Sequence, residues 1–320
     1  MKFTRFSKIA VACVAAFSLG MASSAMAEWP KGDVTYITNF NPGGESDITA
    51  RMQESTFKKV TGHGFIYQYR VGAGGAAGWA QLNRITSDGS AMMGINTPHI
   101  FLQPLAGNVG YKTEDVNVVY IFQLTPYALI VPADSPIKDL DDYIARAKAS
   151  PGTITVAGTG TNSAPHVAKE SFDYHADIKT TYIPFTGTAA ASAALQGRQV
   201  QAQWAFTTAG VEQGDRVRLL GVAMEERHPL FPDVPTFKEK GIDFTGGARR
   251  GVAVPNGVSE EMRQEMSDVF AKVNQDPDLR KRMEDAGYVL LDIPYSEMAE
   301  YTRKLSEDYQ QVARLLGMIK

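Results

Sequence analysis

Short apolar, β-branched runs alternate with amphipathic stretches along most of the chain, and the joints between them carry glycine. Residues 34–38 (VTYIT) read as a first strand, and a helix is expected over about 48–60. Asp47 near its start and Lys58 and Lys59 near its end complement the helix dipole. Residues 65–71 form a second strand, followed by a glycine-rich run and a helix over 79–85. A third strand, 91–95, ends at Asn96, Thr97 and Pro98. Strands are then expected over 118–122 and 128–131, separated by Gln123-Leu124-Thr125-Pro126, where the chain crosses from one lobe to another.

The second half repeats the alternation. An amphipathic helix over 137–149, with Ile137, Leu140, Ile144 and Ala147 on one face, stops at Pro151-Gly152. A strand over 153–157 leads through Gly158-Thr159-Gly160-Thr161-Asn162-Ser163-Ala164-Pro165-His166 into a helix ending near His175. Residues 181–184 make a short strand, and 185–188 cap an alanine-rich helix over 189–195. Trp204 and Phe206 mark a strand end with an aromatic wall. A further strand (219–223), a proline-stiffened loop (226–235) and a helix near 236–240 follow. The chain returns through Gly246-Gly247-Ala248-Arg249-Arg250-Gly251. Helices are expected over 259–274 and 277–286, the second capped by Asp276 and ended by Gly287. In the closing helix, 296–317, Met298, Tyr301, Leu305, Tyr309, Val312 and Leu316 form one stripe, read as core packing.

Two joints stand out. At 158–166 and at Asn41-Pro42-Gly43-Gly44-Glu45-Ser46-Asp47 a strand becomes a helix through glycines and small polar residues. Unpaired N–H groups of a first helical turn, with the positive end of the dipole, suit a carboxylate or phosphate. Taken singly, each is equally an ordinary capped βα turn. Residues 72–78 (GAGGAAG) distantly resemble a dinucleotide fingerprint, but the third glycine falls one place late and no acidic residue follows a further strand, so close helix–sheet packing is the expectation.

Composition narrows the class. Lys2, Arg5 and Lys8, the apolar run 9–20 and Ala25-Met26-Ala27 form a signal-peptide pattern cleaved after Ala27, preferred over a membrane anchor or a lipoprotein attached at Cys13. Removing three of the 32 basic residues and none of the 35 acidic ones leaves net −6. That balance argues against nucleic acid, and Cys13 is the only cysteine. His63, His99, His166, His175 and His228 make no HExxH pair, and neither a G-x-S-x-G elbow nor a Walker loop occurs. No enzyme, metal or cofactor is expected.

The two joints, together with Arg70-Val71-Gly72-Ala73-Gly74-Gly75, Tyr182-Ile183-Pro184-Phe185-Thr186-Gly187 and the run Glu226 through Thr236 (ERHPLFPDVPT), resemble the receptors of tripartite tricarboxylate transporters, the Bug family. The resemblance covers essentially the whole mature chain. It implies an α/β, two-lobe periplasmic binding protein of type II-like form, with mixed sheets flanked by helices and a ligand cleft between the lobes. Residues 28–125 and 251–320 would form lobe I, with the C-terminal helix packing across lobes, and 126–250 lobe II. It implies a monomer that binds a small organic acid and delivers it to a two-component membrane permease. It places the ligand carboxylate against Gly43, Gly44, Ser46, Thr159, Gly160, Thr161 and Ser163, with Asn96, Thr97, Phe185, Gly187 and Thr188 nearby. Ala205 stands where amino-acid-binding members carry an aspartate, which disfavours an ammonium. Arg250 would take a second carboxylate, whereas Glu45 would repel a dianion unless it turns to solvent. The ligand expected is a di- or tricarboxylate, or an aromatic acid stacked on Trp204 or Phe40. An exported sensor and a secreted hydrolase or lyase are the alternatives.

Overall fold

The computed structural model describes residues 29–315 and 317–319, so the expected signal peptide and the end of the apolar stripe at Leu316 lie outside the described residues. The first part runs β1 (Val34–Thr38), α1 (Glu45–Thr61), β2 (Phe65–Tyr69), α2 (Ala76–Trp79), β3 (Ala91–Asn96) and α3 (His99–Ala106). After β4 (Asn117–Pro132) come α4 (Leu140–Ala149), β5 (Thr155–Thr159), α5 (Ala164–Ala176), β6 (Thr181–Phe185) and α6 (Thr188–Gln196). Then follow β7 (Ala202–Phe206), α7 (Thr207–Gln213) and β8 (Val217–Val222). The chain closes with β9 (Gly247–Val254), α8 (Glu260–Asn274), α9 (Pro277–Asp285), β10 (Val289–Ile293) and α10 (Tyr295–Leu315).

The strands lie in the order β2-β1-β3-β9-β4-β7-β5-β6, with β8 and β10 also paired to β4. Within each half the βα units run parallel, β1 beside β2 and β3, and β5 beside β6 and β7. Strand β4 belongs to both halves. Its residues 117–126 pair antiparallel with β9, and 127–132 pair antiparallel with β7 and β8.

The lobe crossing is therefore a continuous strand of 16 residues, not two strands split by a loop at Gln123–Pro126. Gln123 and Thr125 read as a break because they are polar. In the structure both are fully buried, and Gln123 Nε2 donates to Thr125 Oγ1 at 3.2 Å. Register shifts fall earlier along β4, between Val118 and Tyr120 and between Ile121 and Gln123, while Pro126, which has no N–H to give, stays in register opposite Gly247.

Each half has a core on both faces of its sheet. In the first, Phe57, Met266, Phe270 and Leu279 of α1, α8 and α9 pack on one face. Ile100, Phe101, Met298 and Leu305 of α3 and α10 pack on the other. In the second, Leu140, Tyr143, Ala168 and Phe172 face Ala191, Ala194, Leu195 and Ala209 across the sheet. The stripe of α10 is core, as its pattern indicated, and it seats on α3, α8, β4 and β10. Met298, Leu305, Tyr309 and Ala313 are buried in the first lobe's core. The helix expected over 79–85 is one α-turn and a 3-10 turn, and that near 236–240 is only a 3-10 turn. Strand β10 and helices α3 and α7 had no distinct signature.

Candidate ligand site

Arg250 anchors the site. In β9 it pairs with Asn96 of β3 on one side and Gln123 of β4 on the other, so its backbone sits at the crossing. Strand alternation sends its side chain to the opposite face from Arg249, which donates to Tyr301 (2.9 Å) and Tyr309 (3.3 Å) of α10. The Arg250 guanidinium is 3% exposed, donates from Nη1 to Thr125 Oγ1 at 2.6 Å and stands 5.1 Å over the Phe206 ring. Nη1 also lies 3.5 Å from Glu45 Oε1, and Nε has no hydrogen-bond partner among the described residues.

Around it, Phe40, Gly44, Glu45, Ser46, Asn96 and His99 of the first lobe face Thr159, Thr188 and Phe206 of the second across a cavity of about 20 Å³. A further 10 Å³ lies behind Ser46, Asn96 and Arg250. Space of this size holds about one water. Roomier grooves, of about 370 and 820 Å³, lie on the outer faces, far from these converging polar groups. The small cavity is the candidate because buried charge and both lobes meet there.

The lobes touch directly around it. Thr208 Oγ1 donates to Glu45 Oε2 at 2.8 Å, Thr207 Oγ1 to the Gly287 carbonyl at 2.7 Å, and Asn41 Nδ2 to Thr186 Oγ1 at 3.0 Å. Val167 of α5 packs into the core of the first lobe. A Cβ on Gly160 would sit 2.8 Å from the Gly74 Cα, so two bare backbones meet there. The two halves are thus in direct contact around a cavity of about one water's size.

Eight of the fifteen residues expected at the site from sequence do not line this cavity. Gly43 is exposed with φ +74°, and its N–H goes to Asp47 Oδ2 at 2.9 Å. Burial pushes the Asp47 carboxyl up, but Gly43, Tyr69 and Arg51 together hold it below its ordinary value. Gly160 gives its N–H to the Phe185 carbonyl, and Thr161 is exposed. Ser163 is consumed as the N-cap of α5, accepting from the His166 N–H and donating to the Thr159 carbonyl at 2.6 Å. Thr97 Oγ1 accepts from the Arg249 N–H and from Tyr309, on the far side of β9. Phe185 packs on the alanines of α6 and Gly187 caps that helix, one residue short of the lining. Trp204 is fully buried against Phe172, Phe237 and Phe244, so no ligand stacks on it. Nor does Glu45 turn to solvent: it is 4% exposed.

Capping explains which joints remain open. Asp139, Ser163, Ser259 and Asp276 cap α4, α5, α8 and α9 through their side chains. Helices α1 and α6 begin at Gly44 and Gly187 with no side-chain cap, and both point their first turns at the cavity. Their opening N–H groups have no intrahelical acceptor and carry the positive end of the dipole. The uncapped helix entry that the second lobe brings to the cavity is therefore that of α6, whereas the entry to α5 is capped by Ser163. Sequence reasoning also missed His99 and Phe206 as cavity residues. His99 Nε2 lies 3.4 Å from the Ala164 N–H of the opposite lobe, and burial, then the Arg250 charge, hold its pKa down to about 3. Among the described residues no cluster of His, Asp or Glu could hold a metal ion, and no helix is long and apolar enough to cross a membrane.

Comparison with known proteins agrees with this architecture. Residues 49–320 match the model of the tripartite tricarboxylate transporter family receptor. A protein of the gbd 5′ region of Cupriavidus necator is 28% identical, over 98% of this chain and 96% of its own. The periplasmic binding protein BugD superposes with a TM-score of 0.85 at 23% identity, covering 91% of this chain and all of its own. MatC of Rhodopseudomonas palustris, solved with bound malate, superposes at 0.81 and 23% identity, over 89% of this chain and 99% of its own. This chain belongs to the tripartite tricarboxylate transporter receptor family of periplasmic solute-binding proteins.

Proposed function

We propose that the protein captures a small organic carboxylate between its lobes in the periplasm, after cleavage behind Ala27, and as a monomer hands it to a two-component membrane permease. The observation that carries this reading is the buried Arg250 at the crossing, with an unpartnered Nε, facing two glycine-capped helix N-termini from opposite lobes. Charge-assisted hydrogen bonds contribute roughly 1.5–3 kcal/mol each, so a handful reaches the about 8 kcal/mol of a micromolar receptor. The malate bound by MatC is in keeping with this ligand class. Nothing in the cavity pairs an acid and a base around a substrate-sized space, which favours capture over turnover. Thermal-shift screening tests the reading: organic acids are expected to raise the melting temperature, and stabilisation by sugars alone would overturn it.

A further inference from the structure

Glu45 is the cavity group that carboxylate capture leaves unused. It lies 3.5 Å from Arg250, and its Oε2 accepts from Thr208 while Oε1 accepts no hydrogen bond among the described residues. A carboxylate has about four acceptor positions, and a buried one seeks donors. The rest of the lining offers little. Ser46 and Asn96 are hydrogen-bonded to each other at 3.0 Å, His99 is held neutral, and Phe40, Gly44, Thr159, Thr188 and Phe206 carry no charge. Among the described lining residues there is thus one cation and one anion, side by side.

Resting on the receptor reading above, we propose that Glu45 sets the ligand class: a monocarboxylate that also carries a hydrogen-bond donor, either hydroxyl, amide or ammonium. The ligand carboxylate takes Arg250 and the helix N-termini, and its donor takes Glu45 Oε1. A fully ionised di- or tricarboxylate finds no second cation in the lining and sets a like charge against Glu45, which disfavours it. Ala205 removes one anchor for an ammonium in the second lobe, and Glu45 supplies another from the first.

The test is calorimetric titration of the protein with straight-chain acids of about three to six carbons. At each length the alkanoate, its 2-hydroxy, terminal hydroxy, terminal amide and amino derivatives, and the diacid are compared. A donor-bearing monocarboxylate is expected to bind at least about tenfold tighter than the alkanoate and the diacid of its length. Glu45→Gln is expected to erase that preference and bring the diacid level or ahead. Tighter binding of a diacid than of every donor-bearing acid of its length, or an unchanged ranking in Glu45→Gln, overturns the inference and leaves the receptor reading standing. Binding of no acid in the series overturns both. Where Glu45→Gln does not fold by circular dichroism, the ranking measured on the unsubstituted protein decides.

Discussion

Arg249 and Arg250 are neighbours in sequence and serve different ends because a strand turns consecutive side chains to opposite faces. One ties β9 to α10; the other lines the cavity. Gly160 makes a sharper prediction. Its N–H is spent on the strand partner, so its role is to let Gly74 come close, and an added methyl would meet the Gly74 Cα at 2.8 Å. Overpacking costs about 1–3 kcal/mol, here charged to closure rather than to folding of either lobe. Gly160→Ala should weaken ligand binding by roughly tenfold in calorimetry while its melting temperature stays near that of the unsubstituted protein. His99 gives a pH prediction. The folded imidazole titrates near 3 and the unfolded one near its ordinary value of 6.5. Between those values the unfolded state binds a proton that the folded state refuses, so stability falls as pH drops through that window. Melting temperature against pH should fall less steeply in His99→Gln than in the unsubstituted protein.

At the level of elements, the sequence carried the alternation of strands and helices, the glycine joints and the Asp276 cap of α9, because all of these are local. It did not show which joint was open. The run 158–166 looks like an anion loop, yet Ser163 folds back on its own turn and takes the His166 N–H, and the Ala164 N–H is met by His99 of the opposite lobe. The entry to α6, with Gly187 and no hydroxyl placed to cap it, is the open one. Ser163→Ala should accordingly cost about 1 kcal/mol in denaturant unfolding, as cap removal does, with ligand affinity changed by less than about threefold. A large loss of affinity at unchanged stability would restore Ser163 to the site. Trp204 illustrates the complementary difficulty. A tryptophan at a strand's end suits a stacking wall or a core, and only packing with Phe172, Phe237 and Phe244 decides for the core. Likewise the polar pair Gln123 and Thr125 looked like a loop because periodicity weighs polarity alone, whereas here two buried polar residues support an arginine.

For the molecule as a whole, the sheet is one piece through β4 and β9, and the proposed ligand site lies where those strands pass between the lobes. Opening therefore breaks the contacts that span the cleft, among them Thr208 with Glu45 and Thr207 with Gly287. A ligand that binds only the folded state at a hundred times its dissociation constant adds about 2.7 kcal/mol to stability. Arg250 is the part of the site on which carboxylate capture most depends, and Arg250→Lys isolates its geometry. Lysine keeps a positive charge opposite Glu45, so no buried charge is stranded, but it lacks the planar fork that grips a carboxylate. The decisive measurement is calorimetric titration of organic acids into the protein and into Arg250→Lys. At least about tenfold weaker binding of every acid to the variant is predicted, and equal affinities would contradict the account.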